Sequence, residues 1–173
     1  MVKSLQVVSD SVSLEERVRR VESLDLGPIM FKLVYREHDP ISREKAEELE
    51  KHYKRFLILH LKNRSKKIVP NKKIDSFWHT HILDTQKYAV DCEHVFGYFL
   101  HHFPYFGMRG VEDAQHLEDA FAETRQLYEV EFGEPYPTKG ADCQVSDCDA
   151  EQCNPAECHN IGTEFARPTL VAA

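Results

Sequence analysis

Ala46-Glu47-Glu48-Leu49-Glu50-Lys51-His52-Tyr53-Lys54-Arg55-Phe56-Leu57-Ile58-Leu59-His60 reads as a single helix. Ala46, Leu49, Tyr53, Phe56 and His60 recur at steps of three and four, which puts them on one stripe. From Phe56 to Leu59 the segment is apolar on every side, so its C-terminal half belongs at the centre of the molecule. Asp39-Pro40 precedes it, and proline suits a first helical turn, so the helix is expected to open there.

Toward the N-terminus, Gly27-Pro28 is a helix break. Residues 29–35 are short and apolar except for Lys32, and periodicity leaves a buried helix and a strand both open. Ser13-Leu14-Glu15-Glu16 is a capping box, in which the hydroxyl and the carboxylate satisfy orphan amides reciprocally. Leu14, Val18, Val21 and Leu24 then follow on one helical face.

Toward the C-terminus, residues 62–73 form a basic loop containing Val69-Pro70. Next comes Ile74-Asp75-Ser76-Phe77-Trp78-His79-Thr80-His81-Ile82-Leu83-Asp84-Thr85, with the chain's single tryptophan. Two helices are expected to meet near Asp84-Thr85, either residue able to cap the second. The second is expected to reach His101-His102, with Pro104 and the Gly107–Gly110 stretch ending it. Residues 111–132 read as another amphipathic helix, with Ala114, Leu117, Phe121, Thr124 and Tyr128 as its stripe. No strand-like alternation and no glycine-rich phosphate loop occurs. The fold class is therefore all-α: a compact array of about five helices with an irregular Cys-rich C-terminal tail. The expected division is a helical domain over residues 1–133 and a Pro/Cys/acidic tail over residues 134–173.

A chain of 173 residues, 42% hydrophobic, is one domain's worth of sequence and can bury a core. A net charge of −7 argues against a nucleic-acid partner, which would require a basic stripe. Lys62, Arg64, Lys66, Lys67, Lys72 and Lys73 read instead as a solvated loop. Met1-Val2-Lys3-Ser4-Leu5 leads into no apolar run, so no signal peptide is expected, and no stretch is long enough to suggest a membrane partner. Five cysteines without a signal read as free thiols, and the expected location is cytoplasmic.

Five imidazoles fall within residues 79–102: His79, His81, His94, His101 and His102. In apolar surroundings each needs a partner, and a metal ion can satisfy several at once. His79 and His81 stand about 200° apart on a regular helix. They cannot both face one ion unless the backbone is irregular. Asp84, Thr85 and Tyr88 share a face with His81, and Asp75 and Leu83 with His79. His94, Tyr98 and His101 or His102 can align on the second helix, as can Asp91, with Cys92 at one edge. His101 and His102 are about 100° apart, so one of them faces inward. In antiparallel helices His79 would approach that one, and helical bundles build metal sites in this way. The candidate ligands are His79, His81, Asp84, His101 and His102, for a divalent transition metal, zinc or iron foremost. The competing reading is a buried polar knot of Trp78, His79, Asp84, Tyr88 and His102 that only fixes helix packing.

Asp75, Trp78-His79, Leu83, Tyr88, Asp91-Cys92, Phe96-Gly97 and His101-His102-Phe103-Pro104 occur in an order that resembles the glycine-rich domain-containing protein-like family. The resemblance covers roughly residues 70–106. It implies that His79 and the His101-His102 pair form the functional core, and it implies no particular activity. The chain has seven glycines and no glycine-rich segment.

Residues 141–160 carry four cysteines and five carboxylates, with no lysine or arginine. Cys143, Cys148, Cys153 and Cys158 recur every five residues, and His159 follows the last. A step of five would spiral the thiols around a helix, so a flexible chain suits them better. Soft thiolates there could wrap a metal ion. Disulfide pairing and a plain acidic tail are the alternatives, and the neighbouring carboxylates disfavour reactive thiolates. The expected function is a small metal-binding helical protein whose tail delivers or buffers metal. An open coordination position would allow metal-assisted hydrolysis or oxidation. The alternative is a non-catalytic interaction domain with structural histidines and a tail that docks to a protein partner.

Overall fold

The computed structural model describes residues 12–137. Met1 to Leu5 and the whole cysteine repeat, Cys143, Cys148, Cys153, Cys158 and His159, lie outside the described residues. The architecture is all-α, with no strand among the described residues. The helices are α1 (Leu14–Glu22), α2 (Gly27–Tyr35), α3 (Arg43–Lys62), α4 (Lys72–Leu83), α5 (Thr85–Phe96) and α6 (Val111–Phe132).

The sixth helix beyond the expected five is α2. Residues 29–35 are helical, and Pro28 sits in the first turn of α2, where its missing N–H costs nothing. Gly27-Pro28 thus starts one helix just after another has ended. Ser13 caps α1, accepting from the Glu16 amide at 3.2 Å, but the reciprocal half of the capping box is replaced, since the Glu16 carboxylate accepts from Arg19 and Arg20. α3 does not open at Asp39-Pro40. Asp39 takes a left-handed φ of 54°, and the Arg36 guanidinium holds its carbonyl at 2.6 Å. The helix begins three residues after Pro40, where the Ser42 hydroxyl accepts from the Lys45 amide at 3.3 Å.

α3 is the hub and packs against α1, α2, α4 and α6. Phe56, Leu57, Ile58, Leu59 and Leu61 are all buried, which accounts for the apolar run. Around them lie Val21, Leu26, Ile29 and Leu33 from the N-terminal side and Ile74, Phe77, Tyr88 and Val95 from α4 and α5. Each such side chain contributes roughly 1.5–3 kcal/mol on burial. From the opposite side, Thr124 and Tyr128 of α6 reach the interior.

α4 and α5 are separated only by Asp84, whose carboxylate accepts from the Lys87 amide at 3.4 Å. α5 does not continue to His101-His102. It ends at Phe96 because Gly97 adopts φ 72°, a left-handed cap that glycine takes without steric cost. Residues 98–110 then form a loop. Asp113 ties its far end down, accepting from the Gly107 amide at 2.7 Å and the Arg109 guanidinium at 2.6 Å. After α6 the chain turns at Gly133 and Tyr136 folds back into the core, edge-on to Phe121 and Tyr128. Its hydroxyl accepts from the Asn71 amide at 2.9 Å, and Asn71 caps α4. No helix among the described residues is long and apolar enough to cross a membrane.

Gly97→Ala is expected to lower unfolding free energy by about 1 kcal/mol, since alanine resists positive φ. The added methyl meets only the Arg17 guanidinium, at 3.4 Å, so the backbone sets the cost. Urea denaturation showing no loss would mean that the helix end relaxes freely.

Candidate metal centre

Asp75 and His79 stand four residues apart on α4, so both project from one face of that helix. His102 arrives from the loop after α5. The His79 and His102 Nε2 atoms lie 3.0 Å apart. His102 Nε2 is 3.1 Å from Asp75 Oδ1, and His79 Nε2 is 3.5 Å from Asp75 Oδ2. Among the described residues these three form the one group whose ligand atoms converge closely enough for a metal ion. A tetrahedral zinc with bonds of about 2.0–2.1 Å separates its ligand atoms by about 3.3 Å, and three facial positions of an octahedron by about 2.9 Å. The observed distances fall near those values, but they run to two different Asp75 oxygens, Oδ1 toward His102 and Oδ2 toward His79, so the carboxylate faces both imidazole nitrogens at ligand-like spacings.

The loop is held where His102 needs it. Trp78 packs against the His102 ring with centroids 4.6 Å apart. The Trp78 indole donates to the Tyr88 hydroxyl at 2.9 Å, and that hydroxyl donates to the Leu100 carbonyl at 2.5 Å. Burial pushes the Tyr88 phenol well up, so it stays protonated and keeps both bonds. His79 is 52% exposed at its side chain and His102 only 18%, so the centre has one wet side and one covered side.

The remaining sequence candidates do not join the triad. His81 is buried in a separate chain of hydrogen bonds. Its Nδ1 meets the Tyr53 hydroxyl at 2.9 Å, and its Nε2 meets Asp91 at 3.0 Å. Burial pushes the Asp91 carboxyl up, but the bonds from His81 and Lys87 outweigh this and hold it below its ordinary range. Asp84 is spent on the α5 cap, so it belongs neither to the triad nor to the knot of Trp78, Tyr88 and His102. His101 is exposed and lies on the Phe99 ring. His94 is exposed too, and its carbonyl accepts from the Arg20 guanidinium. Cys92 is buried, and burial pushes its thiol up, which keeps it protonated and inert.

Asp75 takes the place expected of Asp84. The signal was present in the sequence, as its i, i+4 spacing from His79. A second residue gave no signal at all. His60, read as part of the α3 stripe, has a sealed Nε2 with no hydrogen-bond partner. Burial pushes its imidazole down to about 4, so it is neutral. It lines a cleft of about 610 Å³ whose walls also include Asp75, Trp78, His102, Phe106 and Phe121.

A family model described as UCP032817-like matches residues 16–125, well over half of the chain and the whole of the triad. No curated protein and no solved structure matches it. The resemblance to the glycine-rich domain-containing family is thereby corrected. That likeness rested on a short Trp-His to His-His-x-Pro pattern, whereas the matching family spans α1 to most of α6. The chain belongs to the UCP032817-like family, whose description names no activity.

Proposed function

We propose that Asp75, His79 and His102 bind a divalent transition metal, zinc or iron, and that the protein is a metal-binding protein with an open coordination position. The observation that carries this reading is the convergence of two imidazole Nε2 atoms, 3.0 Å apart, on the two oxygens of Asp75, 3.1 Å from His102 and 3.5 Å from His79. Two imidazoles and one carboxylate suit iron(II) as a facial set and zinc as a three-ligand catalytic set. Either ion would keep positions for water or substrate, and could then activate a bound water or polarise a carbonyl. The exposure of His79 favours a ligand over a packing role. A ring half in water gains little from burial, in contrast to His81, whose side chain is 2% exposed. The Cys143, Cys148, Cys153, Cys158 and His159 repeat is proposed as a second, softer metal site that feeds the first. A non-catalytic interaction domain, with the tail as its docking element, is the reading to which failure of the metal test would point.

The test uses the full chain with serine at the four tail cysteines, so that only the helical site is measured. Elemental analysis and zinc titration should give one ion per chain. His79→Ala should weaken binding beyond the roughly 10- to 100-fold typical of losing a ligand's supporting partner, with helicity retained. Affinity should fall as pH falls, because only neutral imidazole ligates. No bound metal, or unchanged affinity in His79→Ala, rules the reading out.

A further inference from the structure

We propose that the cleft beside the triad binds a small aromatic carboxylate bearing a hydroxyl or carbonyl group, with its carboxylate closing on the metal. This rests on the metal reading above. The cleft reaches the triad directly, since Asp75 and His102 are part of its wall. Its volume of about 610 Å³ is several times the ~150 Å³ that accommodates one benzene ring. Trp78, Phe103, Phe106 and Phe121 line it, which suits a flat apolar body. Five lysine and arginine side chains line it against two carboxylates, on a chain whose net charge is −7. Lys66 and Arg109 within that set are paired with Glu123 and Asp113, so they shape the field more than they grip a ligand. Lys67 and Arg109 also sit over the Phe106 and Phe103 rings, at 4.8 and 5.0 Å.

The second observation is His60. Its ring lines the cleft, and its Nε2, covered and without a partner, costs free energy until a ligand displaces that cover and supplies the missing bond. Its imidazole is neutral, so it would favour a hydroxyl or carbonyl over a second charge. A ligand with an anionic head for the metal, an aromatic body for the walls and one uncharged polar group for His60 answers all three features.

The experiment titrates zinc-loaded full-length protein, with serine at the tail cysteines, with 4-hydroxybenzoate by calorimetry. Metal content is measured on the same sample. Trp78 is the only tryptophan and lies in the cleft wall, so its fluorescence reports occupancy independently. Saturable binding with Kd below about 1 mM is expected, at least tenfold weaker for 4-hydroxybenzamide and at least tenfold weaker after zinc removal. His60→Leu should erase the preference for 4-hydroxybenzoate over benzoate. Retained zinc with no binding, or with equal binding of acid and amide, overturns the ligand assignment and leaves the metal site standing. So does equal binding with and without zinc, or a hydroxyl preference that survives His60→Leu. Absence of zinc from the loaded sample overturns the metal reading itself.

Discussion

Tyr88→Phe is expected to destabilise the fold by roughly 2–4 kcal/mol and to loosen the Asp75, His79 and His102 triad in the same step. The hydroxyl is the only change, yet it serves two buried groups at once. It accepts from the Trp78 indole at 2.9 Å and donates to the Leu100 carbonyl at 2.5 Å. Tyr88, Trp78 and Leu100 are all buried, so each group left without a partner carries a desolvation cost of about 1–3 kcal/mol. Leu100 stands two residues before His102, and Trp78 is the surface on which the His102 ring rests. Losing the hydroxyl therefore releases both supports of one member of the triad. Urea unfolding measures the first effect and zinc titration the second. A stability loss well under 1 kcal/mol would mean that water replaces the hydroxyl. Unchanged zinc affinity would mean that the loop is held by other contacts.

Acid is expected to weaken the metal-free protein in a window set mainly by His60. In the unfolded chain this imidazole binds a proton near pH 6.5, whereas burial pushes it down to about 4 in the fold. Above about pH 6.5 both states are neutral and the group has no influence. Between about 6.5 and 4 the unfolded state binds more protons, so stability falls as pH falls. The full loss is roughly 3 kcal/mol, reached near pH 4. His52 acts in the same direction, since burial beside Tyr128 lowers it too. Carboxylates act lower on the scale. The Arg55 and Lys51 hydrogen bonds hold Glu134 at about 2. Its contribution is present above the ordinary glutamate range and is lost only as pH falls below it. His60→Leu should flatten the slope between pH 6.5 and 4.5 and raise stability at pH 5. Denaturation midpoints that stay constant across that window in the unaltered protein would refute the assignment.

What the sequence by itself determined was local. The stripe through Ala46, Tyr53 and Phe56 and the apolar run that follows it identify α3 as the hub, because a 3.6-residue period is imposed by backbone geometry alone. The same geometry separates His79 from His81 on α4, so only one of that doublet can belong to a shared site, but it has no hold on His101 and His102, which stand on a loop. The tertiary structure decided the rest. His102 reaches His79 on a loop rather than on a second helix, because Gly97 ends α5 early, and a helical pattern in the sequence does not reveal whether a glycine will turn left-handed. Asp75 rather than Asp84 completes the triad, because Asp84 is consumed where two helices abut. His81 and His60 look equally eligible as residues, yet one is satisfied by Tyr53 and Asp91 while the other is sealed with no partner. Those outcomes depend on which groups meet after the chain has closed on itself, through contacts between residues distant in sequence.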